Sequence, residues 1–287
     1  MSSKAAVLAS FVEAAPPGEP VWSLSSTFSP TIELLKITAD IKSLTSNGSD
    51  VVESLGSAFQ KYNETQLTTV KLPGSSGVVL VSEFNALGDG RYFDPGSQSS
   101  FTFDHATQKA SDVLSHTLES EHSDLIKSLQ RIFSTYTSEH YPSSTFAIYP
   151  VESTSSVALV LVANKYSPSN YWNGRWRSIY TYSPSSGTLT GNIKVDVHYY
   201  EDGNVRLLTT KPVEVKLNSG ASAQDVVKQI GMAEQRYQEE LNRGFAALSE
   251  GAFKGLRRQL PVTRQKVEWE KIGGYRLGQD IGGGRSR

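Results

Sequence analysis

The side chains that could move a proton, attack a carbonyl or hold a metal are few and scattered in this chain. Its five histidines are His105, His116, His122, His140 and His198, and it has no cysteine. The lack of cysteine excludes disulfides, thiolate metal sites and a cysteine nucleophile. No histidine stands in an HExxH arrangement or at a paired ligand spacing. His116 and His122 are six residues apart, which on a helix turns them to different sides. Surface or packed histidine is the expectation for all five. No GxGxxG follows a strand, and neither GxxxxGK(S/T) nor GxSxG occurs. Asp and Glu are dispersed. No catalytic residue, cofactor or metal is expected, and an enzyme has no positive support.

Two segments carry the chemistry of binding. The first is Tyr171-Trp172-Asn173-Gly174-Arg175-Trp176-Arg177. Aromatics interleaved with arginine suit a stacking surface for bases or an interface hot spot. The same residues also suit a strand start, with Trp172 and Trp176 in the core and Asn173-Gly174 in a turn. Few lysines surround the segment and the bulk of the chain is acidic. Core or subunit packing is therefore favoured, and nucleic acid is not expected as a partner.

The second segment is the C-terminal tail, residues 251–287. It holds nine basic residues and three acidic ones, a net +6, so the preceding 250 residues carry −7 of the total −1. Such a split marks a tail meant for an acidic partner. Phe253, Leu256, Leu260, Val267, Trp269, Ile272, Tyr275, Leu277 and Ile281 are threaded through it, which argues against simple solvation. It could lie on anionic membrane or dock in a partner's apolar groove with its arginines on rim carboxylates. Composition favours the protein groove. Gly273-Gly274, Gly278 and Gly282 to Gly284 weaken a helix by up to ~1 kcal/mol each relative to alanine. The tail is expected to be mobile alone and to order on contact.

The body that presents this tail spans several elements. With 287 residues, 38% of them hydrophobic and 20% charged, the chain fits one large or two smaller soluble domains. No stretch approaches the ~20 apolar residues of a membrane span. The N-terminus lacks the apolar core of a secretory signal, so the sequons at Asn47 and Asn63 are not expected to be used. Residues 5–15 read as a helix with Ala5, Leu8, Phe11 and Val12 on one face, stopped by Pro16-Pro17-Gly18. A second helix is expected over 31–44. A third is expected to be capped by Asp50 and Glu53, with Val51, Leu55, Ala58 and Tyr62 as its apolar stripe. Residues 1–65 would then form a small antiparallel helical bundle.

Short strands are expected at 68–72, 78–84, 91–93 and 101–103, then one helix over 111–139, which makes 66–140 a region of strands and a connecting helix. Period-two alternation follows. Strands at 146–149, 157–163, 175–182, 189–200, 205–210 and 213–217 would form an antiparallel sheet with one buried face, Ile193, Val195 and Val197 alternating with Lys194, Asp196 and His198. Ser222, with Asp225 three residues on, caps a helix running to about Glu250. The fold class is therefore α+β: antiparallel N-terminal helices, a central antiparallel sheet crossed by a long C-terminal helix over 141–250, and an amphipathic tail. Such a sheet leaves an edge strand to be covered, and a second copy of the unit would cover it.

Residues 171–178, Gly191 to Val205 and Phe253 to Arg264, followed by Lys266 and Trp269, closely resemble blocks of the F-actin capping protein alpha subunit family. Ala15 to Glu19, Tyr92 to Pro95 and Phe101 to His105 resemble it too. The resemblance implies a non-enzymatic alpha subunit of an obligate heterodimer with a beta subunit, the two sharing one extended sheet. It implies calcium-independent binding at the barbed end of actin filaments, blocking subunit exchange, in the cytoplasm at cortical actin patches. It maps the basic actin contacts onto Lys254, Arg258 and Arg264, with Lys266 beside them, and the apolar ones onto Trp269, Ile272 and Leu277. Phosphoinositides and regulatory proteins are further implied partners. The alternative is an architectural subunit at the filament end of a larger actin-related complex.

Overall fold

The computed structural model describes residues 3–15, 39–43, 48–75, 77–117, 120–141, 143–167, 169, 171–199 and 205–247. The chain divides into two units, Met1–Ala233 and Glu234–Arg287. In the second, helix continues to Ala247 and the tail lies outside the described residues.

The first unit begins with helices. α1 is Ser3–Ala14, residues 39–43 are helical, α2 is Gly48–Ser54 and α3 is Gly56–Gln66. Val12, Ile41, Leu55, Ala58, Phe59 and Tyr62 close one small core among them. The stripe through Leu55, Ala58 and Tyr62 is the one expected from their spacing. Two details differ. Phe11 stands 64% exposed rather than on the buried face. Asp50 lies within the first turn of α2, where its charge favours the helix N-terminus without capping it. Asn63 is fully buried and its amide donates to Phe59 O and His105 O, which closes that sequon to modification.

β1 (Thr69–Lys71) and β2 (Val78–Leu80) make a two-stranded sheet. β3 (Ala86–Gly88), β4 (Arg91–Asp94), β5 (Ser99–Asp104) and β6 (Lys109–Ser115) make a four-stranded meander in that order. Val70, Val79, Val81, Tyr92, Phe101 and Phe103 form the core between these sheets. The single helix expected over 111–139 is corrected here. Residues up to Ser115 are strand β6, and helix α4 is confined to Ser123–His140. The apolar spacing of Leu114 with Leu125 and Leu129 is accidental, since Leu114 is 58% exposed on β6. His116 and His122 therefore share no helix.

The large sheet runs β11-β10-β9-β8-β7, all antiparallel. Its strands are β7 (Ser144–Val151), β8 (Ser156–Ser167), β9 (Trp172–Ser183), β10 (Thr188–Tyr199) and β11 (Val205–Lys216). The two strands expected over 205–217 are one, carried through Pro212. Proline has no N–H for a ladder on both sides, so it sits on terminal strands: Pro212 on β11 and Pro150 on β7. The turn expected at Asn173-Gly174 is also absent, because both pair within β9, with His198 and Val197. The hairpin expected over 201–204 lies outside the described residues.

One face of this sheet carries Phe146, Leu161, Tyr180, Tyr182 and Ile193, and α4 packs on it. Phe133 of α4 packs edge-on to Phe146 at 5.4 Å, and Tyr141 beyond α4 meets Trp176 at 5.9 Å. The last described helix, α5 (Ala223–Ala247), starts where the Asp225 N–H donates to the Ser222 hydroxyl. This is the cap expected from sequence. Gly231 lets α5 approach α4, since a Cβ there would stand 3.2 Å from Tyr136 Cε2. The opposite face carries Ala147, Tyr149, Ala158, Val160 and Val162 in a core with Leu67, Leu80 and Phe93.

Candidate functional site

On that opposite face the sheet turns polar toward β9, β10 and β11. The register places Arg175 beside Asp196 and Leu208, and Arg177 beside Lys194 and Thr210. Cross-strand neighbours point to the same side, so Arg175, Arg177 and Arg206 gather around the Asp196 carboxylate, with Lys194 beside Arg177. Asp196 is only 2% exposed. Its oxygens accept from Arg206 Nε at 3.0 Å and Nη2 at 2.7 Å, a two-bonded pair that fixes both planes.

The arginines act mainly on helix ends. The last carbonyls of a helix lack intrahelical partners and carry the negative end of its dipole. Arg175 Nη2 donates to Gln66 O and, at 3.4 Å, to Leu67 O; Arg177 Nη1 donates to Thr65 O at 2.7 Å. These are the carbonyls at the C-terminus of α3. Arg206 Nη1 donates to Ala14 O, at the C-terminus of α1, at 2.9 Å. Strands β9 and β11 thus hold two N-terminal helices by their carbonyl ends. Burial, with the neighbouring Arg177 charge, lowers the Arg175 pKa to about 10, still charged at neutral pH. Burial likewise lowers Arg177, against the pull of Asp196.

The segment 171–178 is therefore packing machinery on both faces. Its arginines clamp α3, and Trp176 packs against Tyr141. The face expected to be solvated, through Asp196, is covered by helix ends. Alternation alone could not reveal this, because a polar residue under a helix terminus looks like one facing water.

A second polar cluster joins α3 to the meander. Tyr92 O–H donates to Glu64 Oε1 at 2.7 Å, and His105 Nε2 lies 3.0 Å from the same hydroxyl. The His105 ring packs edge-on to Tyr92 and Phe103. Burial, seconded by Glu64, raises the Tyr92 pKa; burial lowers that of His105 against the opposing pull of Glu64 and Asp104. Among the other histidines, His116 packs on Phe93 and His140 on Tyr136. His122 Nε2 faces Ser155 Oγ at 3.1 Å and Glu121 Oε1 at 3.3 Å. A catalytic triad needs its acid on the other ring nitrogen, to hold the tautomer. Here hydroxyl and carboxylate meet the same nitrogen and each other, so the trio does not have triad geometry. No group of three or more metal-binding side chains gathers among the described residues. No described helix is long and apolar enough to cross a membrane.

The binding residues expected in the tail, Lys254, Arg258, Arg264, Lys266, Trp269, Ile272 and Leu277, lie outside the described residues. Their assignment rests on sequence. Residues 27–280 match the family model of the F-actin capping protein alpha subunit. The chain belongs to the F-actin capping protein alpha subunit family. The F-actin-capping protein subunit alpha of Neurospora crassa is 57% identical over 287 residues, covering all of both chains. That of Gibberella zeae is 59% identical over 281 residues, 98% of this chain and 97% of the relative. In Yarrowia lipolytica the identity is 42% over 97% of both. The homodimeric actin capping protein alpha subunit from Plasmodium berghei shares the fold, with a TM-score of 0.69 at 18% identity, over 91% of this chain and 98% of that one. Within the capping-protein alpha fold, the 171–178 block is the clamp on α3. The block from Gly191 contributes Lys194 and Asp196, and the blocks at 92–95 and 101–105 contribute Tyr92 and His105.

Proposed function

We propose that this chain is the alpha subunit of a heterodimer that binds the barbed end of actin filaments and blocks subunit addition and loss there. Membership of the family carries this reading. Two physical features support it. β11 is a 12-residue strand that ends the sheet order, with no strand described beyond it. A long terminal strand invites a partner strand, and the natural occupant is the matching strand of a beta subunit. The second feature is the tail, with net +6 against a body of −7.

Long-range attraction between the tail and acidic actin raises the encounter rate. Trp269, Ile272 and Leu277 then anchor in an apolar groove on the terminal protomer and slow dissociation. A tail from each subunit adds avidity, because the second docking is intramolecular. The protein acts without calcium, in the cytoplasm on the actin cytoskeleton, including cortical patches. Anionic phosphoinositide headgroups compete for the same arginines.

The test is seeded elongation of labelled actin by the co-purified heterodimer at two salt concentrations, with and without calcium. Replacing Lys254, Arg258 and Arg264 together with Ala lowers the capping rate on the order of tenfold at low salt and flattens its salt dependence. An unchanged rate would remove these cations from the mechanism.

A further inference from the structure

A buried polar joint ties the turn between β5 and β6 to α3, and its bonds leave each group one orientation. Asn63 is fully buried. Its side-chain oxygen accepts from the Thr68 hydroxyl at 3.0 Å and from Gln108 Nε2 at 2.6 Å. Its amide nitrogen donates to Phe59 O at 2.8 Å and to His105 O at 2.9 Å. These bonds fix which end of the side chain is nitrogen, and that nitrogen faces His105 Nδ1 at 3.4 Å. On the other side of the ring, the Tyr92 hydroxyl donates to Glu64 Oε1, so it is left to accept from His105 Nε2 at 3.0 Å. One tautomer satisfies both neighbours: Nε2 carries the proton and Nδ1 is bare. A second proton must then enter at Nδ1, where it meets the Asn63 amide, another donor. Two buried donors set against each other leave a bond unmade.

Few charged groups face the ring. Glu64 on α3 and Asp104 at the end of β5 favour the imidazolium, but burial of the ring outweighs them, and burial keeps Tyr92 on β4 protonated. The Asp104 carboxylate is taken up by the Ala106 and Thr107 amides and the Thr107 hydroxyl within its own turn. Arg175 and Arg177 hold the carbonyls at the end of α3 from the sheet and take no part in this joint. Opening the joint therefore frees the turn at 104–108 and leaves α3 in place. We propose that Asn63, His105 and Tyr92 form an acid-released latch, in which a proton at His105 Nδ1 opens the turn 104–108 from α3 while the large sheet stays closed. The latch is independent of the capping reading and uses no residue of the tail.

Hydrogen exchange of the co-purified heterodimer tests it, read by mass spectrometry as protection corrected for the intrinsic pH dependence of exchange. Residues 103–110 are the reporter and residues 157–163 of β8 the internal reference. Linkage sets the ceiling: about 1.5 pH units below an open-state histidine pKa of about 6.5, one proton weakens the closed joint by at most about thirtyfold. Between pH 7.5 and 5.0 the expected loss of protection is at least about threefold in the reporter, with none in β8. His105→Phe keeps a ring in the site and removes the loss. Asn63→Asp puts an acceptor opposite Nδ1 and reverses the sign, so that the joint closes more tightly at pH 5.0. Asn63→Asp also gives up two amide bonds; where it does not fold, wild type against His105→Phe decides alone. Protection that is flat with pH, that falls equally in His105→Phe, that falls as far in β8, or that falls in a folded Asn63→Asp as in wild type would each overturn the proposal.

Discussion

His105 shows how a single residue can report on the joint between α3 and the meander. Burial holds it neutral, with Tyr92 and Glu64 as its polar neighbours and Asp104 next along the chain. Its folded pKa lies below the unfolded value, so its favourable contribution is fully present above the unfolded pKa of about 6.5. That contribution is lost as pH falls through the lower folded value. Asp104 does not confuse this window. Burial would raise its pKa, but the Thr107 hydroxyl and the amides of Thr107 and Ala106 outweigh that and lower it below the usual carboxylate range. Its contribution is therefore lost only in stronger acid. Replacing His105 with Phe keeps a ring against Tyr92 and Phe103 and removes the titration. The expected outcome is that thermal unfolding midpoints of wild type and His105→Phe converge as pH falls from 7.5 to 5. A gap independent of pH would show that His105 contributes packing alone.

At the scale of elements, the joint that matters is the seat of α3 and α1 on the sheet. Arg175 trades burial of a charge beside Arg177 for hydrogen bonds to two helix-terminal carbonyls. Charge-assisted bonds are worth roughly 1.5–3 kcal/mol each, and a buried carbonyl left without a partner costs roughly 1–3 kcal/mol. The gain exceeds the relief from removing the charge. Arg175→Met should therefore lower stability by about 2 kcal/mol, seen as a lower denaturation midpoint at fixed protein concentration. Equal or greater stability would mean that the buried charge costs more than its bonds return.

Much of this architecture was legible from residue spacing. The period of two marked all five long strands, the Ser222–Asp225 cap marked the start of α5, and Leu55, Ala58 and Tyr62 marked the buried side of α2 and α3. The failures have physical causes. Strand β6 carries Leu114 at helical spacing from α4, but no local residue announces the break between them. The segment 205–217 read as two strands, 205–210 and 213–217, because the terminal position that tolerates Pro212 within one strand is a property of the sheet, not of the segment. Lys194, Asp196 and His198 looked solvent-facing because the helix ends over that face of the sheet come from residues far away in sequence. The tail residues were reached through charge, apolar content and family blocks, and no part of that assignment depends on the sheet.

At the scale of the whole molecule, the described elements end at Ala247, and the tail, residues 251–287 with net +6 and rich in apolar residues, follows. On the proposed reading the body pairs with its companion subunit through β11, the tail engages the polymer, and the two roles are separable in one chain. A protein ending at Glu250 keeps every described element, so it should still assemble with the beta subunit. The decisive measurement is the concentration of that truncated heterodimer needed to halt barbed-end growth from filament seeds, set against the full-length dimer. The expected result is intact assembly with capping weakened on the order of a hundredfold or more, the loss of a cluster of anchoring contacts. Capping as strong as that of the full-length dimer would contradict it.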